Sequence, residues 1–250
     1  MGEPGRTPGA AHRPAWYAAR RGGGWDWWTL LHPPYTAWHL SYVVFGACLA
    51  PRVGTGRLVA TVVAFFAAVG VAAHALDEWH GRPLRTAIPG PALVAATAVG
   101  LAVAVALGGA GVVVVGVALV PFILIGPALV VAYNAELFGG FVHTDVGFAL
   151  AWGGFPVLVG YVAQTGTLSG PAVVAAGGAC ALSVAQRTLS TAARGLRRRV
   201  DTIDGVVTFT DGTTSRLDTA ILLAPLERAL AAVSWGLVAL AAALGVARLR

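Results

Sequence analysis

The sequence predicts an all-α integral membrane protein of about seven spans with one small β-hairpin near 206–217, and three observations predict it. First, 57% of the 250 residues are hydrophobic and only 11% are charged, whereas a soluble domain is about half apolar and about a quarter charged. Second, several apolar runs approach the roughly 20 residues that a helix needs to cross a bilayer. Third, the basic residues, all 17 of them arginine, fall mainly between those runs. Mean hydropathy is +0.74 and the sequence pI is about 10.1. Basic loops are how membrane proteins fix their orientation, so this pI implies no nucleic-acid partner. The two cysteines, Cys48 and Cys180, lie inside apolar runs without metal-ligand spacing and read as small packing residues.

Residues 1–24, rich in Gly, Pro and Arg, read as a disordered tail that lacks the apolar core of a cleavable signal. A single helical domain is expected over 25–250. It opens on Trp25, Trp27 and Trp28, a residue type that prefers the headgroup zone. Pro33 and Pro34 interrupt any helix before the first span, 36–49. His32 and His39 flank that span as interfacial histidines. The second span is 58–76, and a polar loop, 74–89, follows it. The third is 91–107, and Gly108, Gly109 and Gly111 predict a tight reversal into the fourth, 112–133. A second polar stretch runs from Tyr133 to Asp145, where Thr144 or Asp145 suits a helix N-cap. Spans five and six, 146–163 and 171–185, are rich in Gly and Ala, which let helix backbones approach closely. A third polar stretch carries Gln186, Arg187, Arg194 and Arg197–Arg199. Asp211-Gly212, flanked by alternating residues, predicts a two-residue hairpin turn. The last span is 226–246.

Threading seven spans puts the N-terminus and all three polar stretches on one side. That side carries thirteen arginines, against Arg52, Arg57, Arg248 and Arg250 on the other. The positive-inside rule makes the arginine-rich side cytoplasmic and the C-terminus extracytoplasmic, in a multi-pass cell-membrane protein. Nine of the eleven carboxylates fall in the cytoplasmic segments that follow the second, fourth and sixth spans, Glu227 at the start of the last span among them. Any chemistry is therefore expected to face the cytoplasm.

The polar loop 74–89 is the chemical centre: His74, Asp77, Glu78, His80, Arg82 and Arg85 fall within twelve residues. Ionisable groups at membrane depth are costly, and a function is the usual reason to keep them. Tyr133, Asn134, Glu136, His143 and Asp145 come from the second stretch, and Arg187 and Arg194 from the third. Carboxylates recruit Mg²⁺, which shares its oxygen ligands with substrate phosphate, and arginines clamp phosphate oxygens. With a greasy bundle alongside, that set suits a prenyl diphosphate.

The sequence resembles the UbiA superfamily of intramembrane prenyltransferases over about residues 29–195. That family carries Asn-Asp-x-x-Asp-x-x-x-Asp after its second helix, followed by Arg-Pro-Leu. Here Asp77 matches the middle aspartate and Arg82-Pro83-Leu84 the second element at shortened spacing, while His74 and Gly81 replace the outer aspartates. The stretch 152–169 is similar to the Gly…Tyr-Val-Gln-Thr-Gly pattern of the branch that prenylates dihydroxynaphthoate. Gln186-Arg187-Thr188 stands where a second aspartate-rich motif belongs, without an aspartate. The resemblance implies a UbiA-like bundle and transfer or cyclisation of a polyprenyl group. Asp77, Glu78, Tyr133 and Asn134 would be the catalytic residues. Arg82, Arg85, Arg187 and Arg194 would bind the diphosphate, and Mg²⁺ would be held by Asp77 and Glu78 with Glu136 and His74. Two alternatives stay open: a membrane metalloenzyme using His74, His80, His143, Glu136 and Asp145 around Zn²⁺ or Fe²⁺, and a lipid-binding scaffold without chemistry. Membrane lipid and an isoprenoid diphosphate are the expected partners, and no motif names a protein partner.

Overall fold

In lipid a backbone can bond only to itself, and helices are the simplest way to do so. The computed structural model describes residues 15–20 and 22–248. Part of the predicted tail, residues 1–14 and 21, lies outside the described residues, as does Arg250 of the orientation count. Helix α1 is Gly24–Leu30, α2 is Pro33–Cys48 and α3 is Thr55–Gly81. Next come α4, Gly90–Val115, and α5, Val120–Asn134, entered through a short 3₁₀ turn at Val117–Leu119. The later helices are α6, Asp145–Thr165, and α7, Gly170–Arg199. Strands β1, Gly205–Thr208, and β2, Thr214–Leu217, pair antiparallel, and α8, Thr219–Arg248, closes the described chain. Among the described residues six helices, α3 to α8, with α5 taken together with its 3₁₀ turn, are long and apolar enough to cross a membrane, and the chain is a multi-pass membrane protein.

Helix α2 is the hub. Trp38, Tyr42, Val43 and Ala47 on it are buried, and it packs chiefly on α6 and α8. The crossing with α6 is close because Gly46 faces the Val157 carbonyl and Gly160 faces the Val43 carbonyl; a Cβ at either would overlap that oxygen. Small residues at such crossings replace the hydrophobic drive that lipid cannot supply. The most apolar stretch of α6 is 67% buried and that of α4 only 6%, so α6 is central and α4 faces outward.

Four expectations need correction. The reversal is not at Gly108–Gly111: α4 runs straight through these glycines and turns at Gly116, φ 110°. Gly108 and Gly111 instead make room for Ile123 of the next helix and Leu119 of the 3₁₀ turn before it, and lipid offers their backbones no partner outside the helix. The third polar stretch is not a loop, because α7 continues to Arg199 and carries its arginines out along one rod. The last helix likewise begins at Thr219. Finally, Asp211-Gly212 is not a two-residue turn. Phe209 N–H donates to the Thr213 carbonyl at 2.8 Å, so three residues form the loop. Only Gly212 takes positive φ, and Asp211 Oδ1 accepts from Thr213 N–H at 2.9 Å.

Helices α3 and α6 each contain a π-helical segment, Phe66–Ala73 and Ala149–Gly154. Such segments widen the helix locally and are frequent at functional sites. Both lie in the buried centre, where Val69, Ala73, Ala151 and Trp152 pack with Tyr133 and Val130 of α5.

Candidate functional site

A polar cavity of about 300 Å³ opens among the arginine-rich ends of α2, α3, α5, α6 and α7. Its floor is made by the π segments. Val69 and Trp152 line it, and two histidines bond the carbonyls of the same segments. His39 Nδ1 meets the Trp152 carbonyl at 2.8 Å, and His74 Nδ1 meets the Gly70 carbonyl at 3.1 Å. A bond from Nδ1–H to a carbonyl fixes the tautomer and leaves Nε2 as the acceptor nitrogen. His39 is therefore not the interfacial histidine expected from its place in the sequence; it is buried within the bundle.

The wall is built on Tyr133. Its ring stacks on His143 at 4.4 Å between centroids, and the His143 Nδ1–H donates to the Tyr133 carbonyl at 3.0 Å. Its hydroxyl accepts from Arg187 Nη1–H at 2.5 Å. The Arg187 Nε–H donates to Asp145, and its guanidinium lies 5.1 Å from the Phe148 ring centroid. Asn134, also buried, donates to the Val130 carbonyl at 2.7 Å. Thr144 is the N-cap of α6, its hydroxyl accepting from Gly147 N–H.

At the mouth, Ala15–Arg20 lies across the site although the sequence assigns it to a tail. The Tyr17 hydroxyl bonds His32 Nδ1, its ring packs edge-on against His32 and Tyr35, and Trp28 Nε1–H donates to the Tyr17 carbonyl at 3.3 Å. Removal from water holds the His32 pKa well below its ordinary value, helped by His74 and Arg194. Burial likewise pushes the Tyr17 phenol up, with Tyr35 adding to it. At neutral pH the pair is therefore an uncharged phenol donating to an uncharged imidazole. Arg85, Arg194 and Arg198 line the mouth, as does Arg197, which pairs with Glu227 of α8 at 2.6 Å.

Of the residues singled out in the sequence, Asp77, Tyr133, Asn134, His74, His143, Arg85, Arg187 and Arg194 line this one cavity. Others do not. Glu78 is fully buried and turned away: its two oxygens accept from Leu84 N–H at 2.9 Å and from Thr86 N–H and Oγ1–H at 2.8 and 2.9 Å. Arg82 is in the left-handed region and donates to the Ile88 carbonyl at 2.7 Å. Both shape the 82–89 loop. Glu136 is exposed outside the cavity, 3.9 Å from His143, and Asp145 faces Arg187. His80 is exposed. Among the described residues no three His, Cys, Asp or Glu side chains come together as a metal-holding group. Of the four residues that the resemblance would give to Mg²⁺, Asp77 and His74 line the cavity, while Glu78 is engaged by the 82–89 loop and Glu136 lies outside; Asp77 is one of two carboxylates in the lining and makes no hydrogen bond among the described residues. Asp26, the other, accepts from Gly22 N–H and Ala87 N–H at 2.9 and 2.8 Å.

Beneath the polar cavity lies a second, apolar one of about 420 Å³ among α3, α4, α5 and α6, lined by residues such as Phe65, Phe122, Gly126 and Phe155. Val69 and Trp152 line both. Comparison with family models, with curated proteins and with solved structures gave no match. Four contributors had little sequence signal. Asp26 and Tyr17 sit in the stretch that reads as tail or headgroup anchor, and Arg197 and Arg198 read as a plain orientation signal. A histidine inside an apolar span was the one available sign of His39.

Proposed function

We propose that this protein binds an isoprenoid diphosphate, with the head in the polar cavity and the tail in the apolar one, inside a UbiA-like bundle. The observation that carries this reading is that the polar and apolar cavities are neighbours and share Val69 and Trp152 as lining residues. An amphiphile needs both parts side by side: guanidiniums for phosphate oxygens and an apolar slot for its chain. In this reading α2 is the seventh crossing segment. Its 16 residues reach roughly 24 Å at 1.5 Å per residue, and it is shielded from lipid by its neighbours. The arginine bias then makes the cavity mouth and the N-terminus cytoplasmic.

Equilibrium binding of geranylgeranyl diphosphate to the protein in nanodiscs tests this. Arg194→Ala should weaken binding about tenfold, the scale of one charge-assisted contact. Gly126→Leu fills the apolar slot, where an added Cβ meets only Phe155 at 3.6 Å. It should weaken the long-chain ligand and spare dimethylallyl diphosphate. Lack of saturable binding by the parent would end the proposal.

The resemblance adds transfer or cyclisation of the prenyl group, with Tyr133 and Asn134 beside the head where an acceptor would stand. The scaffold reading is favoured by a specific observation: Glu78 and Arg82, the neighbours of Asp77 in the motif, are spent on their own loop. Release of inorganic diphosphate from the bound ligand separates the two.

A further inference from the structure

We infer that the anionic head is held without a divalent cation, by arginine alone, and that Asp77 opposes its binding. This rests on the reading that the polar cavity takes a phosphorylated head. The UbiA-like pattern would have the carboxylates near the head carry Mg²⁺ to it, yet they are engaged one after another. Glu78 gives both oxygens to the 82–89 loop. Asp26 gives one oxygen to Gly22 N–H and the other to Ala87 N–H. Asp145 is paired with Arg187 and Glu227 with Arg197. Asp77 remains, half-buried and without a hydrogen bond among the described residues.

The arginines are disposed in the opposite way. Arg85, Arg194 and Arg198 line the mouth with no carboxylate within 4 Å among the described residues. Arg187 and Arg197 line it as well. A cation entering here would meet three guanidiniums without a carboxylate partner and one carboxylate without a hydrogen bond, so like-charge repulsion outweighs what Asp77 offers. Mg²⁺ also demands near-octahedral oxygen ligation and sheds water reluctantly. A diphosphate meets the reverse field. The three unpaired guanidiniums suffice for its two or three negative charges, and each can bind two oxygens at once. Asp77 is then the one carboxylate lining the cavity that makes no hydrogen bond among the described residues, and its charge faces the ligand.

The test is equilibrium binding of geranylgeranyl diphosphate to the full chain in nanodiscs, once in excess magnesium and once in excess EDTA. The dissociation constants should agree within about twofold. Asp77→Asn should tighten binding by about threefold or more, as removal of a like charge requires, and Asp77→Ala should do the same if charge and not shape is the cause. A tenfold loss in EDTA, or weaker binding by both variants, overturns the inference and leaves the binding function standing. No binding in either buffer overturns both.

Discussion

Asp77 and Glu78 are adjacent carboxylates with opposite fates. One residue on a helix is a turn of about 100°, so two neighbours cannot share a face. Asp77 reaches the cavity and Glu78 is directed to the loop that leaves the helix. There it replaces a sheet or helix as the partner of free N–H groups, which is why a carboxyl side chain can be fully buried at that point. Glu78→Gln keeps the shape but leaves one acceptor oxygen where there were two. The expected loss is about 1–3 kcal/mol, the scale of a buried polar group left unsatisfied. It should appear as a lower thermal midpoint in detergent and as faster amide exchange at Leu84 and Thr86. Unchanged exchange there would mean that the loop holds itself. Ligand affinity, in contrast, should change less than in Arg194→Ala, since Glu78 does not line the cavity.

At the scale of elements, helix contact in this protein is governed by where the glycines lie. Gly46 and Gly160 let α2 and α6 touch backbone to backbone. Gly177, in α7, has nothing within 4 Å of an added Cβ. Gly46→Ala should therefore cost about 1–3 kcal/mol, as overpacking does, whereas Gly177→Ala should be neutral or slightly stabilising because alanine is the better helix former. Reversible unfolding in mixed micelles measures both. Equal effects would show that helix propensity and not the crossing governs stability. The two π segments are the other decision at this scale. By widening α3 and α6 they carry Val69 and Trp152 to the boundary between the polar and apolar cavities, and His39 and His74 take up carbonyls of these widened turns.

For the whole molecule, the prediction is orientation. Polar cavity, hairpin and arginine cluster share one end, and the far end is short loops. A reporter that is active only outside the cytoplasm should work when fused after Arg250, and the same reporter placed between β1 and β2, at Gly212, should fail. The reverse pattern would invert the bundle and move the cavity mouth to the outside. The physical driver is that arginine-bearing segments are held back at the cytoplasmic face.

What the sequence determined by itself is whatever depends on composition and local chemistry. Helix content and membrane residence follow from apolar runs of spanning length, and the Thr144 cap and the hairpin from short-range hydrogen bonding. The gathering of Asp77, Tyr133 and Arg187 was also legible, because alternate crossings return polar stretches to one side. Only the tertiary structure decided the rest. Whether Gly108–Gly111 turns or stays helical depends on Leu119 and Ile123 packing against it. Whether Glu78 meets a ligand or a loop depends on where the chain goes after Gly81. The part of Tyr17 and Asp26 depends on segments that fold back from outside any span. In each case the deciding partner is another element, and residue type together with spacing carries no record of which element that is.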